Sequence, residues 1–157
     1  MSLKPSTKAP NFTLKNELGK SLTLSNILAI KPVVLFFYPK AFTTGCTLEV
    51  CAFRDDYSFF EEHNIGLIGI SNDSADVQHK FHSKYKLPYT LLSDPARKVC
   101  ALYDAVYPLG ILTKRTTYLI DKKGIIRSVY SNLFGAESHL LEMKKQILKL
   151  NLSGIAA

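Results

Sequence analysis

Between Phe12 and Leu24, apolar and polar positions alternate on both sides of Leu18-Gly19-Lys20. That period of two predicts a β-hairpin with strands at Phe12–Lys15 and Ser21–Leu24. The pattern changes after Pro32. Val33 to Tyr38 is an unbroken apolar run rich in β-formers, as expected of a central strand buried on both faces. A turn, Pro39 to Gly45, leads into a predicted helix over Thr47–His63, with Leu48, Cys51, Ala52, Tyr57, Phe59 and Phe60 as its apolar candidates. Gly66–Ser71 reads as a second buried strand. Asp73 or Ser74 then caps a helix through Ala75–Tyr85. Tyr89–Asp94 is a short strand, and Pro95 suits the first position of a helix running through Cys100. Thr116–Asp121 and Ile125–Ser131 flank a Lys-Lys-Gly turn as a late hairpin. The last helix, Ala136–Leu150, offers Leu140, Leu141, Met143, Ile147, Leu148 and Leu150 as its apolar side.

Strands that alternate with helices and then end in a hairpin predict an α/β fold, a mixed β-sheet flanked by helices on both faces, with an N-terminal β-hairpin. The length, 157 residues, suits one domain spanning 1–157. No apolar run reaches the ~18 residues of a membrane span, and the first residues lack the apolar core of a signal peptide. The expected location is the reducing cytoplasm. The net charge of +7 is spread along the chain without a basic run interleaved with aromatics. This gives no signal for nucleic acid, and leaves a solvated basic surface that can draw an acidic protein partner.

The cysteines are Cys46, Cys51 and Cys100. An odd number in a reducing compartment argues against a disulfide framework. No Cys-x-x-Cys pair is present, and His63, His79, His82 and His139 are not at ligand spacing, so no metal and no cofactor are expected. Cys46 opens a helix directly after Gly45. Helix N-termini carry partial positive charge and unpaired N–H groups, which favour a thiolate. Pro39 can cover a sulfur without offering it a donor. Thr43 has a hydroxyl able to accept from a ligand and donate to the sulfur. Position alone also fits a small buried residue near a turn. A cysteine at the first strand-to-helix junction of a mixed sheet suggests, by analogy, a thioredoxin-like fold.

Pro39, Thr43 and Cys46 fit Pro-x-x-x-Thr-x-x-Cys, and the stretch FFYPKAFTTGCTLEVCAFRD resembles the peroxiredoxins, in the bacterioferritin-comigratory-protein or PrxQ branch. The likeness extends to APNFTL, SNDSADVQHKFHSKYKLPYTLLSD and KRTTYLIDKKG. It implies a thiol-dependent peroxidase acting on hydrogen peroxide and organic hydroperoxides in antioxidant defence. Thioredoxin or a similar dithiol would recycle it, and it would be a monomer or weak dimer. By resemblance, Cys46 is the peroxidatic nucleophile and Thr43 binds peroxide and sulfur. Pro39 shields the thiolate, Arg115 stabilises thiolate and peroxide, and Gly45 belongs to the substrate pocket. Glu49 and Arg54 are supporting candidates; Glu49 also reads as a first-turn glutamate favoured by the helix dipole, and Arg54 as a helix-surface salt-bridge partner. The branch usually has proline where this chain has Thr44.

Cys51 matches the branch's resolving cysteine; otherwise it is an inert core thiol. On an intact helix it lies ~140° around and ~7.5 Å along the axis from Cys46, whereas a disulfide needs Cα atoms within ~6.8 Å. Joining them therefore requires the helix to unwind. Cys100 reads as core, with a second resolving thiol as the alternative. A general disulfide oxidoreductase would need Cys-x-x-Cys. A non-enzymatic binding or chaperone module would leave Cys46 unreactive.

Overall fold

The computed structural model describes residues 3–151. Seven strands form one sheet in the order β2-β1-β5-β4-β3-β6-β7. The hairpin β1 (Thr13–Asn16) and β2 (Ser21–Thr23) lies at one edge. β3 (Val33–Phe37), β4 (Gly66–Ser71) and β5 (Thr90–Ser93) run parallel in the centre. β6 (Thr116–Ile120) and β7 (Ile126–Ser131) complete the other side antiparallel. The expected mixed sheet is therefore present, and each expected strand falls within a residue or two of its reading.

Alternation along β3 divides the core in two. Val34 and Phe36 face α2 (Thr44–Asp55), α3 (Tyr57–Glu62), α4 (Ala75–Lys84) and α6 (Ala136–Asn151), meeting Val50, Phe53, Phe60, Phe81, Met143 and Ile147. Val33, Leu35 and Phe37 face the short α1 (Leu24–Leu28) and α5 (Lys98–Leu102). The Phe36 ring stacks on Phe53, with centroids 4.7 Å apart, and fixes α2 across the sheet. A Cβ at Gly69 would lie 2.8 Å from that same ring, so glycine lets Phe36 cross β4.

Four readings are corrected. The helix expected over Thr47–His63 starts earlier, at Thr44, and breaks at Asp56, whose carboxylate pairs with Lys144 from α6. Its buried face is Cys46, Glu49, Val50 and Phe53, while Leu48 is exposed. Pro95 does not open a helix. Arg97 N–H donates to the Asp94 carbonyl and adopts φ 54°, so Pro95 sits inside a turn. α5 then begins at Lys98, with the Asp94 carboxylate accepting from Cys100 N–H. On α6, Leu141 and Leu148 face solvent, and the buried positions are Ala136, His139, Met143 and Ile147. α1 was not expected: five residues are too few to establish a helical period.

Candidate active site

Cys46 is the third residue of α2 and is only 1% exposed. The N–H groups of Thr44, Gly45 and Cys46 have no carbonyl a turn earlier in the helix, so they point into the space before it. The sulfur accepts from Nη2 of Arg115 at 3.4 Å. Arg115 comes from the residue before β6, the strand beside β3, which delivers it across the sheet edge to the start of α2. Its Nη1 donates to Glu49 Oε1 at 2.6 Å and its Nε to the Leu133 carbonyl at 3.0 Å. Three anchors thus fix a buried guanidinium. Burial works against its charge, but Glu49 and Cys46 beside it hold its pKa above the ordinary value. A Cβ on Gly45 would lie 2.9 Å from Nη2, so the bare helix turn admits the arginine.

Thr43 is exposed at the N-cap, and its hydroxyl donates to the Lys40 carbonyl at 2.7 Å. The expected donation to sulfur is replaced by this local bond; the oxygen's lone pairs stay available to a ligand. Pro39 is half-buried at the end of β3. The intervening loop is pinned from below, as Ala41 N–H donates to Asp73 Oδ2 at 2.7 Å and Ser71 Oγ donates to the same oxygen. Phe42 takes φ 65°, a strained value for a bulky residue, and packs on Phe81 with centroids 5.0 Å apart.

A family model described as the AhpC/TSA family matches residues 5–129. The chain belongs to the AhpC/TSA family. It is 46% identical over 142 residues to the chloroplastic peroxiredoxin Q of Triticum aestivum, covering 90% of this chain and 65% of that protein's length. The crystal structure of peroxidoxin BcpB from Mycobacterium tuberculosis superposes with a TM-score of 0.89 at 36% identity, covering 94% of this chain and 98% of that one. The bacterioferritin comigratory protein of Xanthomonas campestris, solved in a study of alkyl peroxide reduction, gives 0.75 at 25% identity, covering 85% and 90%. The family therefore includes this chain in its peroxiredoxin Q and bacterioferritin-comigratory branch, and its fold is thioredoxin-like.

Within this family member, the structure brings Cys46, Arg115, Gly45 and Glu49 together and places Thr43 and Pro39 on the adjoining loop. Glu49 is no surface charge. It is fully buried, and burial pushes its carboxyl up to about 8 against the pull of Arg115. Arg54 is directed elsewhere: it bonds Asp55 and the Tyr85 carbonyl, and its charge acts on the Cys51 thiol. Cys51 is half-buried later on the same unbroken helix, with its thiol pushed up by burial. Cys100 belongs to the core on the opposite face of the sheet, and burial raises its thiol steeply.

The site roles of His139 and Asp73 escaped the sequence reading: Ser74 caps α4, and Asp73, the other cap candidate, pins the loop before Cys46 instead. His139 is fully buried on α6, with Nε2 2.9 Å from the Asn132 carbonyl, Nδ1 2.7 Å from Thr117 Oγ1 and 3.7 Å from Glu49 Oε2. A polar residue in step with Met143 and Ile147 was the available signal, because it falls on the buried stripe of the helix.

Proposed function

We propose that the chain is a thiol-dependent peroxidase that reduces hydrogen peroxide and organic hydroperoxides with Cys46 as nucleophile. The observation that carries this is the buried Cys46 sulfur at a helix start, 3.4 Å from a guanidinium that Glu49 and the Leu133 carbonyl hold in place. The thiolate attacks the terminal peroxide oxygen. An S–O bond forms, the O–O bond breaks, and the alkoxide or hydroxide leaves with a proton as alcohol or water, leaving sulfenic acid. Arg115 and the free N–H groups of the first turn stabilise charge as the O–O bond lengthens. The Thr43 oxygen accepts from the peroxide O–H, and Pro39 limits water at the sulfur.

Cys51 then attacks the sulfenic sulfur, an S–S bond forms and water leaves. Both cysteines lie on the continuous helix α2, so their Cα atoms stand about 8.6 Å apart by ideal geometry and the first turns unwind for this step. A thioredoxin-like dithiol reduces the disulfide and is itself oxidised. Among the described residues no helix is long and apolar enough to cross a membrane. The cysteine usage favours the cytoplasm, whereas the wheat relative is chloroplastic; imaging the tagged chain in its own cell decides between these. The working unit is a monomer or weak dimer.

Peroxide consumption driven by NADPH, thioredoxin reductase and thioredoxin tests the proposal. Wild type turns over, Cys46→Ser is inactive, and Cys51→Ser makes one sulfenic acid and stops. A wild-type chain that consumes neither hydrogen peroxide nor an alkyl hydroperoxide ends the enzymatic reading. Full turnover by Cys51→Ser ends the resolving role.

A further inference from the structure

Behind Arg115 the structure places a second pair of titratable groups. Glu49 Oε2 is buried without a hydrogen-bond partner, an expensive condition for a carboxylate oxygen. It lies 3.7 Å from Nδ1 of His139. On the other side of that ring, Nε2 faces the Asn132 carbonyl, which can only accept, so Nε2 carries a proton. Nδ1 of a neutral ring is then a lone pair, and an ionised Glu49 would aim another lone pair at it. One added proton removes that conflict.

We propose that His139 is a positioning residue that works through Glu49: beyond the proton on Nε2, the two side chains share one added proton near neutral pH. The guanidinium of Arg115 then faces one full anion, the Cys46 thiolate, instead of two. The inference rests on the assignment of Cys46 as nucleophile.

The geometry accommodates the proton on either partner. On the carboxyl, Oε1 still accepts from Arg115 Nη1 while Oε2 turns its O–H toward the ring. On the ring, Nδ1–H faces both Oε2 and Thr117 Oγ1, a hydroxyl that can switch from donor to acceptor. Both placements leave the pair net neutral. Burial pushes Glu49 up to about 8 and His139 down to about 4, which favours the carboxyl as the resident site. The groups gathered here are Cys46 and Glu49 from α2, Arg115 ahead of β6, Thr117 from β6, and His139 from α6. The Tyr130 ring of β7 stands edge-on to the imidazole. With Glu49 neutral, thiolate and guanidinium are the two full charges and they balance. With Glu49 ionised, the same guanidinium is divided between two anions, and the thiolate loses support.

Two measurements test this without peroxide turnover, so a chain that reduces no hydroperoxide would defeat the proposed function and leave this result readable. The first is on reduced wild type at neutral pH, using infrared difference spectra with carbon-13 glutamate and nitrogen-15 spectra of the histidine rings. Exactly one signal is expected, a carboxylic acid lost in Glu49→Gln or an imidazolium at His139. Finding neither, or both, overturns the proposal. The second is the iodoacetamide alkylation rate of Cys46. His139→Leu slows it about tenfold, a change of about 1.4 kcal/mol, and the same substitution in a Glu49→Gln background leaves the rate unchanged. No slowing, or equal slowing in both backgrounds, overturns it. Should His139→Leu fail to fold, the spectra on the unaltered chain decide alone.

Discussion

Gly45 and Arg115 occupy each other's space: a Cβ on the glycine would lie 2.9 Å from the arginine Nη2, the atom that reaches the Cys46 sulfur. Gly45 lies in the first turn of α2 without a positive φ, so its backbone accepts any residue and alanine would favour the helix by up to about 1 kcal/mol. The glycine therefore serves the arginine. Gly45→Ala is expected to leave thermal stability within a few degrees while lowering the rate of peroxide-driven Cys46 oxidation by about 10- to 100-fold, the effect of displacing a positioning group by roughly 1 Å. Parallel melting curves and single-turnover oxidation rates check it; an unchanged rate would mean the 3.4 Å contact does not assist the reaction.

Unwinding of α2 has an identifiable restraint. Tyr89 OH donates to the Val50 carbonyl at 2.6 Å, between Cys46 and Cys51 on the helix. Tyr89→Phe removes that bond and lowers the cost of opening the helix by about 1 kcal/mol. Disulfide formation after a pulse of peroxide should accelerate about fivefold if opening limits it. The chain has no tryptophan, so acid quenching and mass spectrometry of the Cys46–Cys51 peptide give the clearest readout. A variant that is less stable yet no faster would show that opening is not the slow step.

The strands were legible because their pattern is local. Val33–Phe37 is buried at every position and reads as an apolar run; the hairpins carry their turn residues between alternating segments. The reactive end of the site was legible for the same reason: Pro39, Thr43, Gly45 and Cys46 are neighbours in the chain. What escaped depends on contacts across the chain. Arg115 and Glu49 are 66 residues apart and meet only once β6 lies beside β3. Without the family resemblance Arg115 reads as a surface arginine. Glu49 and His139 carry polar side chains on the buried stripes of α2 and α6, and hydrophobic periodicity assigns such positions to solvent. Pro95 misled because a turn led by Asp94 and a helix N-terminus favour the same residue.

Cys100 provides a check on the resolving assignment. It belongs to the same core cluster as Phe37, Tyr103 and Tyr118, on the far side of the sheet from Cys46; its N–H donates to Asp94 Oδ2 at 2.9 Å, and Thr113 Oγ1 lies 3.9 Å from its sulfur. Cys100→Ala is expected to cost about 1 kcal/mol of stability and to leave thioredoxin-driven turnover at the wild-type rate. Turnover that collapses to a single event in a folded Cys100→Ala chain would transfer the resolving role from Cys51 to Cys100.

The buried Glu49 and His139 also make stability depend on pH in an unusual window. Glu49 keeps its proton in the fold up to about 8 but loses it near 4.5 when unfolded, so between those values the native state holds the extra proton and stability falls as pH rises. His139 has the opposite sign. Unfolded it binds a proton below 6.5, folded only below about 4, so between those values stability falls as pH is lowered. From about 4.5 to 6.5 the two slopes cancel, and from 6.5 to 8 only the Glu49 slope is left. The pair should therefore withdraw about 2 kcal/mol across that upper interval, at 1.36 kcal/mol for each unit. Urea melts at closely spaced pH values measure it. In Glu49→Gln the loss above 6.5 should vanish and the acid-side slope of His139 stand alone; a wild type and variant with parallel profiles would mean that the buried carboxyl ionises in the fold as readily as in the unfolded chain.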